Sequence, residues 1–281
     1  MRHQLMKVGL WFYGIGTALT GILNIAWRDF DGSHQPIQAL GKNIPGQHLM
    51  ASAAGIALVA AGLAVLWRRS AKIGAAASGV LYSIFVTLWL LRGYGGIHAL
   101  GWRLDILLGV SFGMGQELML IAPAAIVYAS ISSPDSRLRD ISGISARWML
   151  GLPPVIFGLA HLIGIRVFAK IVPPWMPFGG FLAAITGIAF ILAGVAICSG
   201  IKDILALRLL ASMLLLFEVL VEIPPVFTRL HNQRTWGAAV YNLAAIGACW
   251  IFAELLAGRG DLERVSLAAN VARSRSNAAV A

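Results

Sequence analysis

The sequence predicts an all-α fold, a polytopic transmembrane bundle of about eight helices. Three observations support this prediction. The chain of 281 residues is 58% hydrophobic and only 12% charged, whereas about a quarter of the residues of a soluble domain are charged. Its mean hydropathy is +0.79. Its apolar residues form runs of about 20, the length that a helix needs to cross a bilayer. A soluble enzyme, a disordered protein and a disulfide-stapled secreted domain are therefore excluded.

Each apolar run is predicted to be a helix, because a spanning segment must satisfy its backbone hydrogen bonds internally. No run shows the alternation of apolar and polar residues that is typical of a barrel strand. The first run has no cleavage site followed by a polar mature start, so we expect it to be retained. In chain order, the predicted spans are Val8–Trp27, Leu49–Trp67, Ile73–Leu91, Ile106–Ile131, Trp148–Ile165, Phe178–Ile201, Leu209–Phe227 and Trp236–Leu256.

Basic residues are divided unevenly between the two sides of the predicted bundle. If the N-terminus is inside, the inner segments carry 14 of the 22 Lys and Arg residues and the outer loops carry 8. Cytoplasmic segments carry the excess of such residues in membrane proteins, which predicts that both termini are cytoplasmic. We assign the net charge of +10 to contacts with anionic lipid headgroups and not to nucleic acid.

The two halves of the chain repeat a pattern. Ala53–Leu66 reads AAGIALVAAGLAVL and Ile185–Cys198 reads ITGIAFILAGVAIC, an offset of 132 residues. A long loop that contains proline follows the first helix of each half. We predict two parallel four-helix repeats, because an even number of spans gives both copies the same orientation. The units are residues 1–131 and 148–257, joined by a cytoplasmic linker (132–147) and followed by a flexible cytoplasmic tail (258–281).

Ionisable side chains within the spans are functional candidates, because such groups are costly in a membrane. Glu117, Glu218 and Glu222 are the candidates for a buried polar or proton-relay role. Glu218 and Glu222 are four residues apart, so a regular helix places them on one face. They relay a proton or bind a cation in one interpretation. In the other, one acid pairs with Arg229 and one faces a polar seam between the halves. We expect Glu254, near a helix end, to reach water.

A group of polar and aromatic side chains predicts an outward-facing pocket in the second half. Pro224 and Pro225 are expected to kink or end the seventh span near its outer end. His161 lies at a similar depth, and a proline-rich loop follows its helix. The plainer interpretation of His161 is a hydrogen bond between helices. The candidate pocket residues are His161, Arg166, Trp175, Glu222 and Arg229.

No motif in the sequence identifies a reaction. The chain contains no P-loop, HExxH, GxSxG or CxxCH pattern, so we expect no catalytic residue and no cofactor is evident. Cys198 and Cys249 are not spaced for a metal or a dithiol. Asp29, Asp31 and His34, in the first long loop, are predicted to be ordinary solvated residues, with a metal site as the alternative.

Several stretches together resemble the DoxX-like membrane proteins. They are FGLAHLIGIRVFAKIVPPWMPFGGF (Phe157–Phe181), a later helix that ends in EIPPVFTRL, and WRDFDGSHQPIQALGKNIPG (Trp27–Gly46) in the first half. The resemblance implies four-helix units in a bacterial inner membrane. Some members of that family are small subunits of thiosulfate:quinone oxidoreductases, and others associate with redox-stress proteins. It therefore suggests quinone as a cofactor and a redox protein as a partner, in addition to membrane lipids.

Three functions follow from these patterns. The first is a non-catalytic accessory or scaffold protein whose outward pocket holds a lipid headgroup, a quinone headgroup or a partner. The second is the membrane subunit of a quinone-linked thiosulfate or thiol oxidoreductase, with the redox centre on another chain. The third is a small-solute or proton-coupled transporter, which the duplicated bundle and the intramembrane carboxyl groups favour.

Overall fold

The computed structural model describes residues 2–41, 43–132 and 136–280, with side chains at 8–41, 43–131, 137 and 140–260. The described residues form helices and connecting loops, without a β-strand. Eight helices are long and apolar enough to cross a membrane. The predicted fold class, an all-α transmembrane bundle, is therefore confirmed.

The helices extend beyond several of the predicted apolar runs. α5 begins at Ser136, so it includes most of the predicted linker 132–147. α10 continues past the membrane-spanning stretch, but most of the predicted tail 258–281 lies outside the residues whose side chains are described. The elements are α1 (Arg2–Trp27), a 3₁₀ turn (Ile37–Leu40), α2 (Gln47–Leu66), α3 (Ala71–Leu100), α4 (Leu104–Ser132), α5 (Ser136–Ile163), α6 (Ile165–Phe168), α7 (Gly179–Ser199), α8 (Asp203–Phe217), a π-helical segment (Glu218–Glu222), α9 (Ile223–Thr228) and α10 (Gln233–Val280).

α10 lies at the centre of the bundle. Its most apolar stretch is 72% buried inside the protein, whereas the corresponding stretch of α7 is 28% buried. α10 packs against α1, α4 and α8. Ala244, Ala245 and Ala248 on this helix are fully buried. Small side chains of this kind let neighbouring helices approach closely, which is how helices associate where lipid removes the hydrophobic driving force.

Glycine pairs form the closest contacts between helices in both halves of the chain. A Cβ atom on Gly55 of α2 would lie 2.6 Å from the carbonyl oxygen of Gly21 on α1. A Cβ atom on Gly187 of α7 would lie 3.0 Å from the carbonyl oxygen of Gly158 on α5. α1 therefore packs on α2 as α5 packs on α7. Two further pairs extend these contacts along the same helices, Gly14 with Gly62 and Gly151 with Gly194.

Each half of the chain also packs against the other. α1 packs against α10, and α5 packs against α4. The first helix of each half therefore contacts the last long helix of the other half, and the interior of the bundle is built from both.

Ion pairs join helices at the end of the bundle that holds the linker. Arg147 Nη2 lies 2.7 Å from Asp203 Oδ2, and Arg208 Nη2 lies 3.0 Å from Glu254 Oε1. Glu254 is buried, so the expectation that it reaches water is wrong. Its charge is offset by Arg208 instead, because a buried carboxylate without a partner is costly.

Candidate functional site

A cavity of about 260 Å³ lies among α4, α5, α7, α8 and α10. Six of its 19 described lining residues are Phe or Tyr. The rings of Phe112 and Phe157 are 4.5 Å apart between centroids, and Phe190 packs edge-on against Phe157 at 5.8 Å. Such ring contacts have preferred geometries, so they define the shape of the cavity. We call this the aromatic cavity. Its aromatic lining residues are Phe112, Phe157, Phe168, Phe190, Phe217 and Tyr241.

Polar side chains occupy a few positions on its wall, among them Gln116, His161 and Glu222. His161 Nδ1 lies 2.7 Å from the carbonyl oxygen of Phe157, and its ring stacks on Phe168 at 3.8 Å. A carbonyl oxygen only accepts, so Nδ1 donates this hydrogen bond. The Nε2 atom of the neutral ring is then an acceptor.

The carboxyl groups of Glu218 and Glu222 have different surroundings. Glu218 is buried and accepts a hydrogen bond from Asn242 Nδ2 at 3.0 Å, whereas Glu222 lines the aromatic cavity. The segment between them is π-helical and directly precedes Pro224 and Pro225. Proline has no N–H to donate, so the regular helical hydrogen bonds cannot continue through this segment.

The structure brings together two of the five predicted pocket residues. His161 and Glu222 both line the aromatic cavity. Arg166 on α6, Trp175 in the loop before α7 and Arg229 after α9 are exposed, and the described cavity lining does not include them. On this side the wall is formed by Phe168, Ile171 and Val172. Sequence reasoning also did not single out the lining residues Gln116, Tyr241 and Asn242.

A second, smaller cavity of about 20 Å³ contains the most deeply buried polar groups. We call it the polar core. Asp31, His34 and Glu117, which line it, are 5%, 8% and 1% exposed. The prediction that Asp31 and His34 are solvated is therefore wrong. The loop that carries them folds into the bundle, where Trp89 Nε1 donates a hydrogen bond to the carbonyl oxygen of His34 at 3.1 Å. Within the described chain, no group of three or more His, Cys, Asp or Glu residues is arranged to hold a metal ion.

The loop is also held by side chains inside the polar core. Asn24 Nδ2 donates to Gln35 Oε1 at 2.8 Å, and the His34 ring stacks on Tyr241 at 4.8 Å. Tyr241 lines both the polar core and the aromatic cavity. The Tyr241 side chain therefore forms part of the wall of both sites.

His34 lies between acidic groups. Its Nδ1 atom is 3.7 Å from Glu117 Oε1, which is too long for a hydrogen bond, so their interaction is electrostatic. Burial lowers the pKa of His34, but the carboxylates of Glu117 and Asp31 outweigh burial, and the pKa is raised above its ordinary value. The folded protein therefore favours the protonated imidazole.

The polar core and the aromatic cavity occupy corresponding places in the two halves. Five residues that line the aromatic cavity each lie 137 positions after a residue that lines the polar core. The same offset separates Gly14 from Gly151 and Gly21 from Gly158, which make matching contacts. Polar side chains in the first half thus correspond mostly to apolar ones in the second. The five pairs are Thr20 and Phe157, Asn24 and His161, Asp31 and Phe168, His34 and Ile171, and Gln35 and Val172.

Fold and site together define a multi-pass helical membrane protein whose interior holds an aromatic cavity and a polar core. Comparisons of the chain with models of known protein families, with curated proteins and with solved structures find no match. The functional argument therefore rests on the geometry of these two sites.

Proposed function

We propose that this chain is a non-catalytic integral membrane protein that holds the headgroup of a lipid-soluble molecule in the aromatic cavity. The lining of the cavity carries this proposal. Aromatic walls with a few fixed polar groups are typical of small-molecule sites, which usually measure about 300–1,000 Å³. At about 260 Å³, the cavity is large enough for a ring headgroup and too small for a whole lipid.

An apolar groove supports a ligand with a tail. The groove has a volume of about 900 Å³ and runs between α4 and the α5–α6 region. Phe112, Phe168 and Ile171 line both the groove and the aromatic cavity. A chain lying in the groove, along Leu108 and Val167, would bring its headgroup to the cavity. Membrane lipids and quinones both combine an apolar chain with a polar headgroup, and both reach the groove from within the bilayer.

The polar groups of the cavity favour an oxygen-bearing ring. The amide of Gln116 donates hydrogen bonds, which suits a ring carbonyl. His161 Nε2 accepts a hydrogen bond, which suits a ring hydroxyl. A quinone and its quinol offer these two groups, so we propose quinone as the first ligand to test.

We extend the proposal to the evolutionary origin of the chain and to its orientation in the membrane. We propose that the chain is DoxX-like, that residues 1–131 and 148–257 arose by duplication, and that it lies in a bacterial inner membrane. The constant offset of 137 between lining residues supports the duplication. The excess of Lys and Arg on the side of the termini supports cytoplasmic termini.

We also propose that this chain binds a partner protein that carries a redox centre. The described cysteines, Cys198 and Cys249, are free thiols, and neither is among the described residues that line the aromatic cavity. If the chain is the membrane subunit of a quinone-linked thiosulfate or thiol oxidoreductase, the redox centre belongs to the partner and this chain presents the quinone.

The π-helical segment favours transport as a second candidate function. Glu218–Glu222 interrupts the seventh span beside the cavity, and interrupted helices are common at the binding sites of transporters. Uptake into sealed vesicles with and without a pH gradient tests this candidate. Solute uptake that a pH gradient drives in the wild type and fails to drive in Glu222→Gln would support it, whereas uptake unchanged by that substitution would exclude the role of Glu222.

The main proposal is tested by mass spectrometry of the lipids and quinones that stay bound after mild detergent extraction. Ala238→Leu adds bulk to the cavity wall. Its control is Ala189→Leu, which adds the same bulk to a separate surface groove. We expect Ala238→Leu to reduce the bound molecule about tenfold, because about 1.4 kcal/mol is sufficient for this. The control should retain it.

A double variant, His161→Ala with Glu222→Gln, tests the polar wall. It should weaken retention without blocking the cavity. Equal retention by the wild type, Ala238→Leu and the double variant would show that the cavity does not hold the molecule.

A further inference from the structure

Three buried polar atoms of residues that line the polar core have no hydrogen-bond partner among the described residues. They are Oδ2 of Asp31, Nδ1 of His34 and Oε1 of Glu117. Leaving a buried polar atom unsatisfied is costly, so three in one place require an explanation. The void that their residues line measures about 20 Å³. A void of this size holds one water molecule and no larger ligand.

The charges of these residues do not balance. Asp31 and Glu117 are acids, and His34 is the one base among the described residues that line the void. With both carboxyl groups ionised and the imidazole neutral, the site would carry a charge of −2. Uncompensated charges in a protein interior cost several kcal/mol each. The site is therefore stable only when it holds at least one proton in addition.

The two acids differ in how the protein stabilises their charge. Asp31 Oδ1 accepts a hydrogen bond from the backbone N–H of Ser33 at 2.9 Å. Its other oxygen packs against Gly237, the fifth residue of α10. Glu117 Oε1 lies in the middle of α4 and faces His34. Asp31 thus has a backbone donor of its own, whereas Glu117 and His34 face each other and are placed to exchange a proton.

We propose that the polar core is a proton-binding site, in which one water molecule bridges Asp31, His34 and Glu117 and one proton moves between His34 and Glu117. With the proton on the imidazole, Nδ1–H donates to the water, and the water donates to Asp31 Oδ2 and Glu117 Oε1. All three orphaned atoms are then satisfied. Proton binding at this site requires no ligand in the aromatic cavity.

Other titratable groups face this pair from three directions. Tyr82 of α3 and Tyr241 of α10 line the same void, and the charge of Glu222 in the π-helical segment also acts on His34. Free tyrosine has a pKa of about 10, so these two residues remain neutral at moderate pH. Glu222 and the buried Glu218 beside it are thus the acids whose titration must be separated from that of Glu117.

Infrared difference spectroscopy of the full chain in lipid nanodiscs, between acidic and alkaline pH, tests the proposal. We expect a carbonyl band of a protonated buried carboxyl group at acidic pH in the wild type. One component of this band should be lost in Glu117→Gln and retained in Glu222→Gln and in Glu218→Gln, which replaces another buried acid. The matched control is Asp105→Asn, an acid on the same helix whose side chain is 66% exposed. A band that is the same in Glu117→Gln and in the wild type, with no component lost, would overturn the assignment.

The bridging water is tested by exchange into H₂¹⁸O. One O–H stretching band should shift in the wild type and be absent in Glu117→Gln, and a spectrum without any such band would contradict the bridge. His34→Gln provides a second variant if Glu117→Gln does not fold. Without the imidazolium, the Glu117 carboxyl group should stay protonated to higher pH, and an unchanged titration of its band would refute the shared proton.

Discussion

Replacing Gly21 with alanine should weaken the contact between α1 and α2 far more than an ordinary change of glycine to alanine. The new Cβ atom would lie 2.7 Å from the backbone nitrogen of Val59 and 2.9 Å from Leu58 Cβ, and closer still to the carbonyl oxygen of Gly55. Ordinary contact lies at 3.4–4 Å. Backbone atoms cannot rotate aside, so the two helices must separate by roughly 1 Å.

The cost follows from this separation. Overpacking of a filled interface costs about 1–3 kcal/mol. A gap of about 0.5–1 Å also removes a quarter to a half of the dispersion energy of the atoms along it. The higher helix propensity of alanine stabilises the variant by about 1 kcal/mol, which offsets part of this cost. Because the loss of dispersion energy along the gap offsets the gain in helix propensity, we expect Gly21→Ala to reduce the free energy of unfolding by about 1–3 kcal/mol.

Two further variants turn this value into a test. Gly158→Ala on α5 would place a Cβ atom 3.0 Å from the backbone nitrogen of Ile191 and closer to the carbonyl oxygen of Gly187, so it should cost a similar amount. Gly95→Ala on α3 is the control, because its Cβ atom would meet nothing within 4 Å. Its stability should be unchanged or up to about 1 kcal/mol higher.

The assay is reversible unfolding in mixed micelles of dodecyl sulfate and a mild detergent, followed by circular dichroism. If Gly21→Ala and Gly95→Ala differ by less than about 0.5 kcal/mol, α1 and α2 do not approach as closely as the structure shows. If Gly21→Ala is costly and Gly158→Ala is not, the two halves are not packed alike.

Three more predictions use the same unfolding assay. The pKa of His34 is raised on folding, so the protonated ring stabilises the fold fully below the unfolded pKa of about 6.5, and this contribution is lost as the pH rises through the folded pKa. The free energy of unfolding of the wild type should therefore exceed that of His34→Gln by less at pH 9 than at pH 6. A difference that stays constant would contradict this. Arg147→Gln removes a partly buried ion pair with Asp203 at 2.7 Å and should cost about 2–3 kcal/mol, so a loss below about 0.5 kcal/mol would count against the pair. Gly237→Ala should push the Asp31 carboxylate out of place, cost about 1–3 kcal/mol and alter the infrared band of Glu117, whereas an unchanged spectrum would show that this contact is not tight.

The apolar runs of the sequence predicted that the spans exist but not where the helices end. The predicted run Ile73–Leu91 lies inside α3, which extends to Leu100. Apolar composition shows which part of a helix meets the lipid core. A helix continues beyond that part as long as its backbone hydrogen bonds do, and composition does not record this. The same reason explains why α5 begins at Ser136, well before the predicted start at Trp148.

The polar core was not predicted because long-range contacts create it. A loop that contains Asp31 and His34 has the composition of a solvated segment. Its burial depends on Trp89, which is 55 residues away along the chain and holds the carbonyl group of His34. An offset of 132, taken from the second helix of each half, places His34 against Arg166. The loops differ by five residues in length, so the first helices and these loop positions align at 137, where His34 corresponds to Ile171.

This correspondence explains how one arrangement of helices produces two different sites. In the first half, Asp31, His34 and Gln35 need directional partners, and these partners draw the loop inward until a void of only about 20 Å³ remains. In the second half, Phe168, Ile171 and Val172 have no such requirement, so a cavity of about 260 Å³ stays open. The half with the polar residues therefore has the small void, and the half with the apolar residues has the larger cavity.

The two sites should affect each other through Tyr241, because its ring stacks on His34 and also lines the aromatic cavity. A ligand that moves this ring changes the surroundings of the imidazole, and therefore its affinity for a proton. Linkage is reciprocal, so protonation must change the ligand affinity by the same factor. We expect retention of the bound molecule to differ between pH 6 and pH 9 in the wild type and to change less with pH in His34→Gln. Retention that varies equally with pH in both proteins would show that the shared wall does not couple them.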